Sequence, residues 1–138
     1  MARSPRTPYL GCYLRNLVLS TIGLTVAALL LARLEILAVP SGGLVLLPPA
    51  IAAYMAGRAW GRAEGVVPAG RAAWHWAVVA GLGYLAVQMV LLPLGFIAFS
   101  FERSMLLPVA LVLCALFLAT IVIHRVCVVW GARSGADI

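Results

Sequence analysis

Four long apolar stretches, separated only by short polar breaks, fill almost the whole chain. A helix of about 20 apolar residues crosses the ~30 Å hydrocarbon layer of a bilayer. In lipid only helices and closed barrels satisfy their own backbone, and long apolar runs without strict alternation are helices rather than barrel strands. The expectation is therefore all-α: a four-transmembrane-helix bundle with spans near 14–37, 44–61, 74–99 and 105–130. Four spans leave almost nothing of 138 residues for a second unit, so 1–138 reads as a single integral membrane domain. With 64% hydrophobic and only 10% charged residues, a soluble domain is excluded.

The breaks set the orientation. The N-terminal segment carries Arg3, Arg6 and Arg15; the middle break carries Arg58, Arg62 and Arg71; the tail carries Arg125 and Arg133. The remaining breaks are balanced, Arg33 with Glu35 and Glu102 with Arg103. Cationic residues near span ends are retained in the cytoplasm, which places both termini there. The net charge of +6 thus gathers on one face, where Arg58, Arg62 and Arg71 can meet anionic headgroups. No nucleic-acid motif accompanies it, so membrane lipids are the expected partners and nucleic acid is not. All ten cationic side chains are arginines, which keep their charge and fork bidentately to phosphate.

Met1 to Tyr13 reads as a polar lead that stays attached, since the first apolar stretch is too long for a signal-peptide core. Pro48-Pro49 leaves two readings of the second span: a helix that begins there with proline in its first turn, or one from Leu44 with a kink. Pro93 and Gly95 are expected to break the third span locally. Trp60, Trp74, Trp76 and Trp130 all fall at the cytoplasmic boundary, the level of an aromatic belt. Cys12, Cys114 and Cys127 form no disulfide framework.

Gly57 and Gly61, with Ala53 before them and Gly65 after, recur every four residues, and Ala73, Ala77 and Gly81 make a similar strip. Small residues at that spacing let another backbone approach closely, within the bundle or from a partner. Glu35 and Gln88 are polar groups within apolar stretches. Glu35 reads as an interfacial ion pair with Arg33 or as a transport carboxylate. Gln88 reads as a hydrogen bond across helices or as part of a transport path. His124, inside the fourth span, reads as a packing histidine or as the ligand of a haem or pigment, with no metal site otherwise expected. His75, at the start of the third span, lies roughly 9 Å shallower by helical rise, so the two histidines do not match as an axial pair. No Ser/His/Asp set, phosphate-cradling loop or metal-spaced His/Cys/Glu cluster is present, and no catalytic residue is assigned.

Arg15-Asn16-Leu17 leads into the first span, followed by Pro40-Ser41-Gly42-Gly43. Ala56-Gly57-Arg58 through Gly65 and Pro68 to Trp74 comes next, and Gly131-Ala132-Arg133 ends the series. In this order the chain resembles an uncharacterised family of small four-helix inner-membrane proteins of proteobacteria. The resemblance implies residence in the bacterial inner membrane and carries no activity with it. Ser41-Gly42-Gly43-Leu44, Leu47-Pro48 and Gly70-Arg71-Ala72-Ala73-Trp74 are also similar to the small accessory protein of bacterial ATP synthase operons. That family has an acidic residue early in its third span, where this chain has Gly81-Leu82-Gly83.

The expected function is a non-catalytic accessory subunit or assembly factor docked on a larger membrane complex. Gly57, Gly61, Ala77 and Gly81 would form its contact faces. The alternative is a small homo-oligomeric transporter or channel using Glu35, Gln88 and His124. An enzyme ranks last.

Overall fold

The computed structural model describes residues 7–34, 45–99 and 106–137. These form four helices and no strand: α1 (Leu10–Arg33), α2 (Leu47–Glu64), α3 (Gly70–Phe99) and α4 (Leu106–Ala136). Helices α1, α3 and α4 are long and apolar enough to cross a membrane. Helix α2 is not, because Arg58, Arg62 and Glu64 all fall in its second half. Glu35 and the Glu102–Arg103 pair lie outside the described residues.

Local chemistry accounts for the helix ends. Tyr9 takes the left-handed conformation (φ 63°), uncommon for a residue with a Cβ, and turns the chain into α1. Its ring lies 6.0 Å from that of Trp60, which helps hold the turn in place. Pro48 and Pro49 occupy the first turn of α2, where the missing amide costs nothing, so α2 starts there without a kink. Gly65 closes α2 in the left-handed region (φ 63°) with its N–H on the Gly61 carbonyl at 2.8 Å.

The bundle runs up-down-up-down. Tyr9 meets Trp60 while Ser20 Oγ donates to the Pro48 carbonyl at 3.3 Å, so α1 and α2 are antiparallel. Trp76 faces His124 and Gln88 faces Leu113 and Phe117, so α3 and α4 are antiparallel as well. Helices α2 and α4 are consequently parallel, and they form the tightest pair. A Cβ placed on Gly57 would lie 2.9 Å from the Val128 carbonyl carbon, and one on Gly61 2.9 Å from that of Ala132. In return, Gly131 abuts the Tyr54 carbonyl and Gly135 that of Arg58. Two glycine pairs at four-residue spacing, one on each helix, interlock the backbones.

The core is narrow and made largely of small residues. Ala52, Ala53, Ala56 and Trp60 on α2 meet Val128 and Ala132 on α4. Helix α3 contributes Ala73, Trp76, Ala77, Ala80 and Tyr84 at helical spacing, and α1 contributes Tyr13 and Leu17. All of this lies towards one end of the bundle. Among the described side chains of α1, none from Val18 to Arg33 is buried.

Several boundaries depart from the sequence reading. Helix α1 starts at Leu10, and Tyr13, assigned to a polar lead, is fully buried because it packs on α3 and α4. Helix α3 continues through Pro93 and Gly95 to Phe99. Proline is tolerated in such a segment because a broken helix would leave still more backbone unpaired in an apolar medium. Helix α4 extends past Trp130 to Ala136, since Gly131, Ala132 and Gly135 dock on α2. Trp76 and Trp60 belong to the core, whereas Trp74 and Trp130 are exposed.

Candidate functional site

The polar chemistry of the interior is concentrated where α1 and α3 begin and α4 ends. The Tyr13 hydroxyl is hydrogen-bonded to His124 Nε2 at 2.9 Å. The Tyr13 ring stands edge-on to both the His124 and the Trp76 rings, with centroids 5.1 and 5.6 Å away. Trp76 Nε1 donates to the Pro8 carbonyl at 2.9 Å, tying the segment before α1 to α3. Helical spacing brings this about: Tyr13 and Leu17 share a face of α1, and Thr120, His124 and Val128 share one of α4.

His124 is fully buried, and its Nδ1 has no hydrogen-bond partner. A Cβ on Gly81 would lie 3.8 Å from that atom, so α3 covers it closely. Such an orphaned buried nitrogen costs about 1–3 kcal/mol. Haem or pigment ligation at His124 would require breaking the Tyr13 bond or displacing α3 at Gly81. Among the described residues no group of three or more His, Cys, Asp and Glu converges.

The other sequence candidates lie apart from this cluster. Gln88 is half-buried and donates to the Tyr84 hydroxyl on its own helix, one turn away. The connection between segments is made instead by Tyr84, which donates to the Val45 carbonyl at 3.1 Å. Tyr84 and Gln88 line a cavity of 110 Å³ against Leu113, Leu116 and Phe117. The level of Gln88 is about two helical turns from that of Gly81 and His124. Ala77 and Gly81 are buried on α3, where a Cβ on Gly81 would meet the Ile121 Cγ1 at 3.1 Å. Gly57 and Gly61 face α4, so their groove is filled within the chain.

The arginine-rich end is built by topology. Arg15, Arg58, Arg62, Arg71, Arg125 and Arg133 all lie where α1 and α3 begin and α2 and α4 finish. Arg62 and Arg71 are exposed, and Arg58 is half-buried. The Arg125 guanidinium lies 4.9 Å from the centre of the Trp74 ring, a cation–π contact. Glu64 accepts from Trp60 Nε1 at 2.9 Å. Partial burial, and then the Glu64 carboxylate, push the Tyr9 phenol above its ordinary range.

Sequence reasoning gave Tyr13 to a polar lead and Trp76 to an aromatic belt, and it missed the contact made by Gly131 and Gly135. The glycine pair was detectable, because it repeats the Gly57–Gly61 spacing at the matching end of another apolar stretch. Tyr13 carried a weaker signal, the four-residue step from Tyr9 to Leu17. The fold and the apolar length of three helices define the class, a helical membrane protein. Comparison with protein-family models, curated proteins and solved structures finds no match.

Proposed function

We propose that this is a four-span protein of the bacterial inner membrane, with both termini cytoplasmic, that serves as a non-catalytic accessory subunit or assembly factor of a larger membrane complex. Gathering six arginines at one end supports the orientation, since that end is then the cytoplasmic one. Helix α2 spans as the companion of α4, with its charged second half at the headgroup level.

The observation that carries the association reading is the outer half of α1. Leu19, Ile22, Val26 and Leu30 are all at least half exposed, and a Cβ on Gly23 would meet nothing within 4 Å. Apolar exposure alone is what lipid expects. A helix half with no buried side chain among those described, and with Gly23 and Ala27 on one face, is also a surface that another transmembrane helix can approach closely. The transport reading is less well supported, because His124 is enclosed by aromatic rings while Gln88 is paired elsewhere.

The test is extraction of the chain from its native membrane in mild detergent, followed by native mass measurement. A stoichiometric complex with other membrane proteins is expected, and Gly23→Leu should dissolve it while leaving the chain folded. Gly57 and Gly61 cannot serve here, since replacing them would disrupt the chain itself. A monodisperse 14.6 kDa species in every mild detergent would contradict association.

A further inference from the structure

The arginine-rich end has few anions of its own. Among the described residues it holds two carboxylates, Glu64 and Asp137, against six arginines. Glu64 is taken up by Trp60, on the face of α2 that turns towards Tyr9 and α1. Asp137 lies exposed just past the end of α4. The two arginines with buried Nε atoms are then differently placed. Arg125 has the Trp74 ring beneath its charge. Arg58 has neither ring nor hydrogen bond at its Nε.

Arg58 lies along one side of the α2–α4 seam. Tyr54, Arg58 and Arg62 follow one another at one-turn intervals on α2, and Trp130 and Ser134 do so on α4. The Tyr54 and Trp130 rings meet at 5.7 Å and 68°, bridging the two helices one turn before Arg58 and Ser134. Gly135 against the Arg58 carbonyl brings Arg58 level with Ser134. The Arg58 Nε is buried, so its stem is packed against the helix pair while the side chain as a whole stays half-exposed. Depth fits as well: α4 rises about 34 Å from Leu107 to Trp130, just past the ~30 Å hydrocarbon layer. Trp130 is 64% exposed there, as an interfacial anchor would be.

We propose that the α2–α4 seam binds the phosphate of one anionic phospholipid. Arg58 and Arg62 donate to the phosphate oxygens, Ser134 offers a hydroxyl, and the Tyr54–Trp130 pair lies against the glycerol and first acyl carbons. The inference rests on the reading that the arginine-rich end lies at a membrane surface. It separates Arg58 and Arg62 from Arg71, which stands exposed at the start of α3 and belongs to no such seam.

The test is native mass spectrometry of the full chain in an uncharged detergent, titrated with phosphatidylglycerol, phosphatidylcholine or glycerol 3-phosphate. One phosphatidylglycerol retained per chain is expected, with phosphatidylcholine held far more weakly. Arg58→Gln should weaken retention about tenfold or more, the loss of a charge-assisted pair. Arg71→Gln removes the same charge and should change it less than twofold. Equal losses for both variants would mean a diffuse charge effect and overturn the site. Equal retention of the zwitterionic lipid would do so too, as would displacement by glycerol 3-phosphate at matching concentration, which would indicate a free-phosphate site. Should Arg58→Gln lose helicity, the unmodified chain decides: brominated phosphatidylglycerol should quench tryptophan emission more than its zwitterionic counterpart, and equal quenching would overturn the proposal. Release of the chain from membranes by alkaline extraction would remove the membrane reading along with the site. Resistance to extraction without lipid retention would remove the site alone.

Discussion

Replacing Gly57 by alanine adds a single methyl group where the structure has no room for one. The new Cβ would lie 2.9 Å from both the carbonyl carbon and the Cα of Val128, and closer to its oxygen. Apolar carbon contacts settle at about 3.5–4.0 Å, so α2 and α4 must part by roughly 0.5–1 Å. The obstacle is backbone, which cannot rotate away as a side chain can. A gap of that size forfeits a quarter to a half of each contact, and contacts of about 0.1–0.2 kcal/mol each are what hold helices together in lipid, where no hydrophobic effect operates between them. Over an interface of a few dozen atom pairs the cost is about 1–4 kcal/mol. Gly61→Ala should cost a similar amount, yet the double variant only slightly more, because the first substitution already opens the gap the second needs. Gly81→Ala crowds the flexible Ile121 side chain at 3.1 Å, with Phe117 and His124 at ordinary contact distance, and should cost less than about 1 kcal/mol. Gly23→Ala meets nothing and should be neutral or mildly stabilising through helix propensity. Reversible unfolding in bicelles, followed by circular dichroism, reads all five variants. The interlock is refuted if Gly57→Ala unfolds at the same denaturant concentration as Gly23→Ala, or if the two interface substitutions add fully.

Tyr13→Phe strips His124 Nε2 of its partner and should cost about 1–3 kcal/mol in the same assay. Adding His124→Leu should recover much of that loss, since removing both polar groups leaves none buried unpaired; a double variant weaker than Tyr13→Phe would argue against it. Trp76→Phe removes the donor to Pro8 and should cost about 1 kcal/mol, with faster amide exchange at the start of α1. Unchanged exchange there would mean that Trp76 does not fasten the segment.

The fold class was legible because apolar length is a direct consequence of bilayer thickness, and α1, α3 and α4 carry it plainly. Helix α2 was legible only in part. Its alanines and glycines lower its apolarity, and they are needed because α4 lies against its backbone. Pro48-Pro49 left a first-turn start and a kink equally open, and the structure has the first, whereas the unbroken passage of α3 through Pro93 was not expected. There the medium overrides the local preference. The Tyr13–His124–Trp76 cluster was hidden because it unites three helices through contacts far apart in sequence, and single-residue inspection left His124 without its partner. The spacing of Gly57 and Gly61 suggested a face for another backbone, within the bundle or from a partner, and in the structure α4 lies against it.

Whether α2 crosses the membrane decides the most, because it fixes the side of every other segment. The direct measurement is labelling in intact cells with a membrane-impermeant thiol reagent. Single cysteines would be introduced at Ser41 and Val66 in a background lacking Cys12, Cys114 and Cys127. The four-span account predicts labelling at position 41 and protection at position 66 until the inner membrane is permeabilised. Labelling of both positions, or of neither, would place the two ends of α2 on one side and contradict it.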